Sequence, residues 1–257
     1  MMDNQIQTTL FSQVTLIEGP IGLLGRTILA AEQLCQGAGV RLSFATPEEC
    51  LAVNTANRES WPPLASFFHP HFSALTSENS VFILGRDHLG DVVACQACRF
   101  FDWKGTNFKD ECESLRFFYD DPKVMKNANE RVRVTALAAR GTTGKVAYSG
   151  AAWYRRDFRG KGLVEWLPRL SRAYAAGVWG TTTTITLMAE HNVRKGVFPR
   201  NGYRNIEWEV DAVNTRGGTV RYAYLWSKSE EMEEDLSAFL ANLGQADLTA
   251  RSSVRGN

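Results

Sequence analysis

Apolar residues recur along this chain at two periods, one helical and one of strands. Ile21, Leu24, Ile28 and Leu29 fall at helical spacing within residues 21–34, a helix closed by Gly37 and Gly39. Val40, Leu42 and Phe44 then alternate with Arg41 and Ser43, the pattern of a half-buried strand over 40–45. Thr46 with Glu49 forms a capping box, and Pro47 sits at the first helical position, so a helix runs over 47–57. Residues 80–86 and 91–103 read as two strands around the turn Asp87-His88-Leu89-Gly90. Phe108, Cys112, Leu115 and Tyr119 share one face of a helix predicted over 108–119, with Asp110, Glu111 and Glu113 suited to its N-terminal half. A strand at 131–138 lies inside the polar stretch 120–145, which is long for a connection.

The second half is more regular. Residues 146–154 and 181–189 read as strands, and the amphipathic helix between them carries Leu163, Val164, Leu167, Leu170, Ala173 and Tyr174. Residues 206–213 and 219–226 form a closing hairpin. Ser227 with Glu230 makes a second capping box, and Met232, Leu236, Phe239, Leu240 and Leu243 form a stripe on a helix over 229–243. That stripe packs on its own domain, with homodimer formation as a second use. Residues 1–19 read as a poorly fixed arm and 244–257 as a disordered tail.

Between the strand ending at Tyr154 and the helix beginning near Leu163 lies Arg159-Gly160-Lys161-Gly162. A strand, a glycine turn and a helix present unpaired N–H groups and the positive end of a helix dipole at one point, a site for an anion such as a pyrophosphate. The plainer alternative is a solvated turn that only reverses the chain. No G-x-x-x-x-G-K-[ST] occurs, and Glu165 stands where a dinucleotide-binding turn has its third glycine.

Arg159, Gly162 and Val164 resemble the acyl-coenzyme A loop of the GNAT superfamily of N-acyltransferases, with Val164 where the pattern has Gly or Ala. The run from Asn192 through Phe198 to Gly202 and Tyr203 is similar to the family's Asn-led helix and its closing Gly-aromatic pair. The resemblance spans about residues 81–226 and implies a mixed, largely antiparallel α/β sheet flanked by helices, with splayed central strands. It divides the chain into an N-terminal extension (1–39), a GNAT-like domain (40–228, with 120–145 inserted) and a C-terminal helix with tail (229–257). The implied cofactor is acetyl-coenzyme A as acyl donor, and the implied partner a small-molecule or peptide amine.

The resemblance also assigns roles. The backbone of Ala152, Trp153 and Tyr154 pairs with the pantetheine arm, the N–H groups of Gly160, Lys161, Gly162, Leu163 and Val164 take the pyrophosphate, and Asn192 begins the next helix and caps it or bonds the pantetheine. Arg155, Arg156, Arg159 and Lys161 add local positive charge. Acyl transfer to an amine needs a base and a stabiliser for the oxyanion. Glu190 is the first candidate base, His191 the second, and Tyr148 a third acting through water. Phe198 stands where the family has the tyrosine that protonates the leaving thiolate, which passes that task to solvent, Tyr203 or another hydroxyl. Alternatives are a non-catalytic acyl-coenzyme A-binding or sensing module, and an interaction protein whose glycine turn is structural.

Composition narrows the field. With 257 residues, 44% apolar, 22% charged and a net charge of +1, the chain lacks the basic excess of an extended nucleic-acid surface. No apolar run is long enough to span a membrane and the N-terminal residues lack a signal-peptide pattern, so a cytoplasmic location is expected. Cys35, Cys50, Cys95, Cys98 and Cys112 are odd in number and scattered, as in a reducing compartment. Cys95-Gln-Ala-Cys98 falls inside a strand with no second ligand pair, so no metal site is expected there. His69 and His71, separated by Pro70, read as exposed loop residues.

Overall fold

The computed structural model describes residues 9–254, with side chains as far as Gln245. Its elements in chain order are α1 (Ile21–Gly37), β1 (Arg41–Ala45), α2 (Pro47–Ala56), β2 (Ser80–Arg86), β3 (Val92–Trp103), α3 (Phe108–Glu113), α4 (Pro122–Met125), β4 (Arg131–Val134), β5 (Gly144–Tyr154), α5 (Leu163–Trp179), β6 (Thr183–Ala189), α6 (Glu190–Arg194), β7 (Asn205–Thr215), β8 (Gly218–Lys228) and α7 (Ser229–Val254). The strands form one sheet of eight in the order β1-β2-β3-β5-β6-β8-β7-β4. Every neighbouring pair is antiparallel except β5 and β6, which are parallel and joined across α5. A parallel pair requires such a crossover. This is the mixed, largely antiparallel sheet the sequence predicts.

Two cores lie on opposite faces. One buries an aromatic group that includes Phe67, Phe68, Trp103, Phe108, Phe117, Tyr148 and Tyr224. The other seats α1, α5 and α7 through Leu24, Ile28, Leu163, Leu167, Leu170, Met232 and Leu236. The apolar stripe of α5 is thus spent on the sheet, and that of α7 starts on the same core.

Several expectations need correction. Residues 9–19 are a fixed strap: Leu10 is fully buried, its N–H and that of Phe11 bond the Glu32 carboxylate at 2.6 and 3.0 Å, and the N–H groups of Ile17 and Glu18 bond the Gly177 carbonyl at 2.8 and 3.0 Å. Residues 1–8 lie outside the described residues. The helix predicted over 108–119 stops at Glu113, because Leu115 turns left-handed (φ 65°) and swings Phe117, Phe118 and Tyr119 into the aromatic core. The strand at 131–138 ends at Val134 and becomes the sheet's outer edge beside β7, followed by a 3-10 turn at Leu137–Gly141. Ser227 makes no capping box: it belongs to β8 with its hydroxyl buried and unpartnered, and Glu231 takes the Lys228 N–H. α7 continues as helix through Val254, so residues 244–254 are not a disordered tail, and 255–257 lie outside the described residues.

Candidate active site

β5 and β6 are paired over only three residues each, Val146 with Thr183, Ala147 with Thr184 and Tyr148 with Ile185. Beyond that point β5 stays on β3 as far as Tyr154, and β6 stays on β8 as far as Ala189 opposite Tyr222. The two facing edges are therefore unpaired with each other beyond that point, and the gap between them is the candidate cleft. The cause lies in β5. Gly150 pairs with Ala97 and Trp153 with Cys95, so Ala151 and Ala152 together oppose Gln96 alone. Such a bulge bends its strand, and Ala151 meets it with a left-handed backbone (φ 50°). Gln96 braces the bulge from the α5 side, its Nε2 donating to Ser149 Oγ at 2.9 Å, with Ser149 and Ser171 hydroxyls 3.0 Å apart.

Tyr148 closes the root of the cleft. Its ring packs on Phe67 and Phe117 at 4.7 and 5.4 Å, and its hydroxyl accepts the Leu187 N–H at 3.0 Å. Burial raises its pKa, only partly opposed by the bond from Leu187, so the phenol keeps its proton. Gly150 is required beneath it, since a Cβ there would stand 2.6 Å from the Tyr148 ring.

The glycine turn lies at the mouth. Gly160 and Gly162 both have positive φ, 81° and 88°, and Gly162 caps α5. Among the described residues, the N–H groups of Gly160, Lys161, Gly162, Leu163 and Val164 have no acceptor. Five successive N–H groups without an acceptor thus stand at the positive end of a seventeen-residue helix, where backbone donors and the helix dipole favour negative charge. Trp166 lies over Gly162 so closely that a Cβ would meet its ring at 2.2 Å, whereas Gly160 faces open space.

The charge around the turn is smaller than the sequence suggests. Arg155 is neutralised by Asp87 at 2.8 Å, Asp157 at 2.8 Å and Asp91 at 3.6 Å, so it adds no free charge. Arg159 donates to the Tyr154 carbonyl at 3.1 Å and Lys161 lies 4.0 Å from the Phe158 ring centroid. Arg156, Arg159 and Lys161 form no direct ion pair among the described residues, although the charge of Lys161 reaches Asp157. Trp153, whose backbone was expected in the cleft, is ladder-paired to Cys95 with its ring stacked on Trp61 at 5.0 Å. Ala152 is exposed on the bulge.

The other wall is α6. It begins at Glu190, with Ala189 as its N-cap, so Asn192 lies inside the helix rather than at its start. Glu190 accepts from Arg194 at 2.5 Å and stands 4.0 Å from Arg221. His191 is exposed. Phe198 packs with Val193 and Val197 against Met188 and Leu225. Tyr203 donates to the Ile185 carbonyl at 3.0 Å, and burial pushes its pKa up to about 12 against the pull of Arg172, so its proton is already committed. Trp166 over the glycine turn and Gln96 beneath the bulge went unnoticed in the sequence. Only Trp166, one helical turn after Gly162, carried a positional signal.

Cys95 and Cys98 point into the two opposite cores and cannot act as a pair. All five cysteines are buried thiols, and among the described residues no cluster of His, Cys, Asp and Glu could hold a metal. His69 is half-buried rather than exposed, its Nδ1 accepting the His71 N–H at 3.2 Å. Among the described residues no helix is long and apolar enough to cross a membrane.

No family model matches the chain, and no curated protein matches it in sequence. Similar solved structures include the aminoglycoside acetyltransferase AAC(6')-Ib in complex with coenzyme A and kanamycin, at 16% identity and a TM-score of 0.43 over 76% of this chain and 98% of that one. Arabidopsis thaliana NAA60 in complex with acetyl-CoA is similar at 10% identity and a TM-score of 0.46, over 74% of this chain and 99% of that one. The dodecameric spermidine N-acetyltransferase from Vibrio cholerae is similar at 9% identity and a TM-score of 0.44, over 76% and 96%. In the chain itself, β5 and β6 are unpaired beyond Ile185 and a glycine turn follows β5, which is the mixed sheet with splayed central strands that the resemblance implied.

Proposed function

We propose that the chain is an N-acyltransferase that moves an acyl group, acetyl in the simplest case, from coenzyme A to a small-molecule or peptide amine. The observation that carries this reading is the row of five unpaired amides at residues 160–164, set at the mouth of a cleft whose strand edges are themselves unpaired. A diphosphate fits the first and an extended amide-bearing arm the second, as an extra strand fits an open edge. Such a donor supplies an activated thioester carbonyl, and the remaining work falls to this chain.

The amine must arrive neutral. Glu190, at the end of β6, is the base in this reading, with Arg194 orienting its carboxylate. Tyr148, held protonated at the closed end, offers a hydrogen bond to charge that develops there. Asn192 on α6 and the open backbone of Ala152 line the two walls. Phe198 and the committed proton of Tyr203 favour a second reading, a binding or sensing module of the same fold, because neither can protonate a leaving thiolate. Thiol release from acetyl-coenzyme A across an amine panel separates the two. Release that depends on an amine and falls in Glu190→Gln supports transfer, whereas saturable binding with no release for any amine supports the second reading.

A further inference from the structure

Arg169 stands where three elements meet. Its Nη1 donates to the Glu165 carbonyl at 2.8 Å, in the first turn of α5, and to the Arg200 carbonyl at 3.0 Å, in the segment after α6. Its Nε and Nη2 grip both oxygens of Asp235 on α7 at 2.9 and 2.8 Å, and the Phe239 ring lies 5.2 Å from the guanidinium. Arg172, 1% exposed, shares the same carboxylate at 3.2 Å and lies 4.6 Å from the Tyr203 ring centroid. One carboxylate thus serves two sequestered cations, and both Nε and Nη1 of Arg172 have no other partner among the described residues.

The segment 200–203 also comes against this ion pair directly. A Cβ on Gly202 would stand 2.2 Å from Asp235 Oδ2 and 2.6 Å from Arg172 Nη2. The consequence reaches both walls of the cleft. Glu165 bonds back to Gly162 through its N–H at 2.8 Å, which ties Arg169 to the glycine turn, while Tyr203 bonds Ile185 at the root of β6.

We infer that Asp235 is a positioning residue: through Arg169 and Arg172 the C-terminal helix sets the spacing between the glycine turn and the α6 wall, and so the fit of the donor. This rests on the acyl-coenzyme A reading only for the identity of what is held. Removing the charge of Asp235 leaves two guanidiniums facing each other in a largely dry site, and Arg169, the more exposed of them at 11%, is the one that leaves. The clamp between Glu165 and Arg200 opens with it.

Hydrogen exchange on the ligand-free protein tests the clamp, with Asp235→Asn, Asp235→Glu and Leu236→Ala compared to the wild type. Leu236 is fully buried one position along α7, so its truncation lowers stability without touching the ion pair. Asp235→Asn is expected to speed exchange about tenfold at the hydrogen-bonded amides of Glu165, Trp166, Arg200 and Tyr203, Asp235→Glu to restore most of the protection, and Leu236→Ala to raise exchange without that focus. Wild-type protection in Asp235→Asn, or the same focused pattern in Leu236→Ala, overturns the inference. Calorimetric titration with coenzyme A adds a second arm, in which Asp235→Asn weakens binding about tenfold while kcat changes less. Focused exchange in Asp235→Asn beside a wild type that ignores coenzyme A sinks the cofactor reading and leaves the clamp. Focused exchange with coenzyme A bound equally tightly by both proteins leaves the clamp and overturns its effect on the fit of the donor.

Discussion

The hydroxyl of Tyr148 sits where β5 and β6 part, and it accepts a main-chain donor that the parted strands no longer pair. The Leu187 N–H has this phenol as its partner. Tyr148→Phe keeps the ring against Phe67 and Phe117 but leaves that amide without an acceptor, so a loss of about 1–3 kcal/mol is expected in urea unfolding. A loss below about 0.5 kcal/mol would show that water replaces the hydroxyl and that the root of the cleft is wet. Gly162 makes a parallel point about side chains. Its two reasons for being glycine, a positive φ and the Trp166 ring one helical turn on, are both local.

At the scale of elements, the opening of the cleft comes from the bulge at Ala151. An alanine with left-handed φ carries strain of about 1–2 kcal/mol that glycine does not. Ala151→Gly should therefore leave stability unchanged or raise it, after the added chain entropy is counted, while Ala151→Val should lower it by more than about 1 kcal/mol in the same measurement. Equal stability for the three would mean that the strand is not held in the bulge. The bulge itself was invisible in the sequence, because Ala-Ala carries none of the chemistry that marks a turn. Helix α5 was legible because its apolar period agrees with the face it buries, and β3, buried on both faces, because the turn at 87–90 marks its start. The helix over 108–119 was misread for the opposite reason: four aromatic and aliphatic residues at helical spacing also serve a core reached by a left-handed turn at Leu115.

Across the whole molecule, periodicity gave the run of strands and helices and the resemblance implied the class of fold, but the contacts that fix the ends were hidden. The strap at 9–19 is held by Glu32 and by the Gly177 carbonyl, partners that lie far along the chain and leave no local pattern. The same is true of Asp235, which reads as an ordinary acid in the early turns of a helix. The glycine turn was legible because its chemistry is contained in four consecutive residues, whereas the neutralisation of Arg155 depended on Asp87 and Asp91 across the sheet.

Titrating the nitrogen-15-labelled protein with coenzyme A, while following each backbone amide by NMR, tests the central claim most directly. Saturable shifts centred on the amides of residues 160–164, weakened in Gly162→Val, are the predicted result. Unmoved amides at 160–164 in the presence of excess coenzyme A, or shifts confined to another part of the chain, would contradict it.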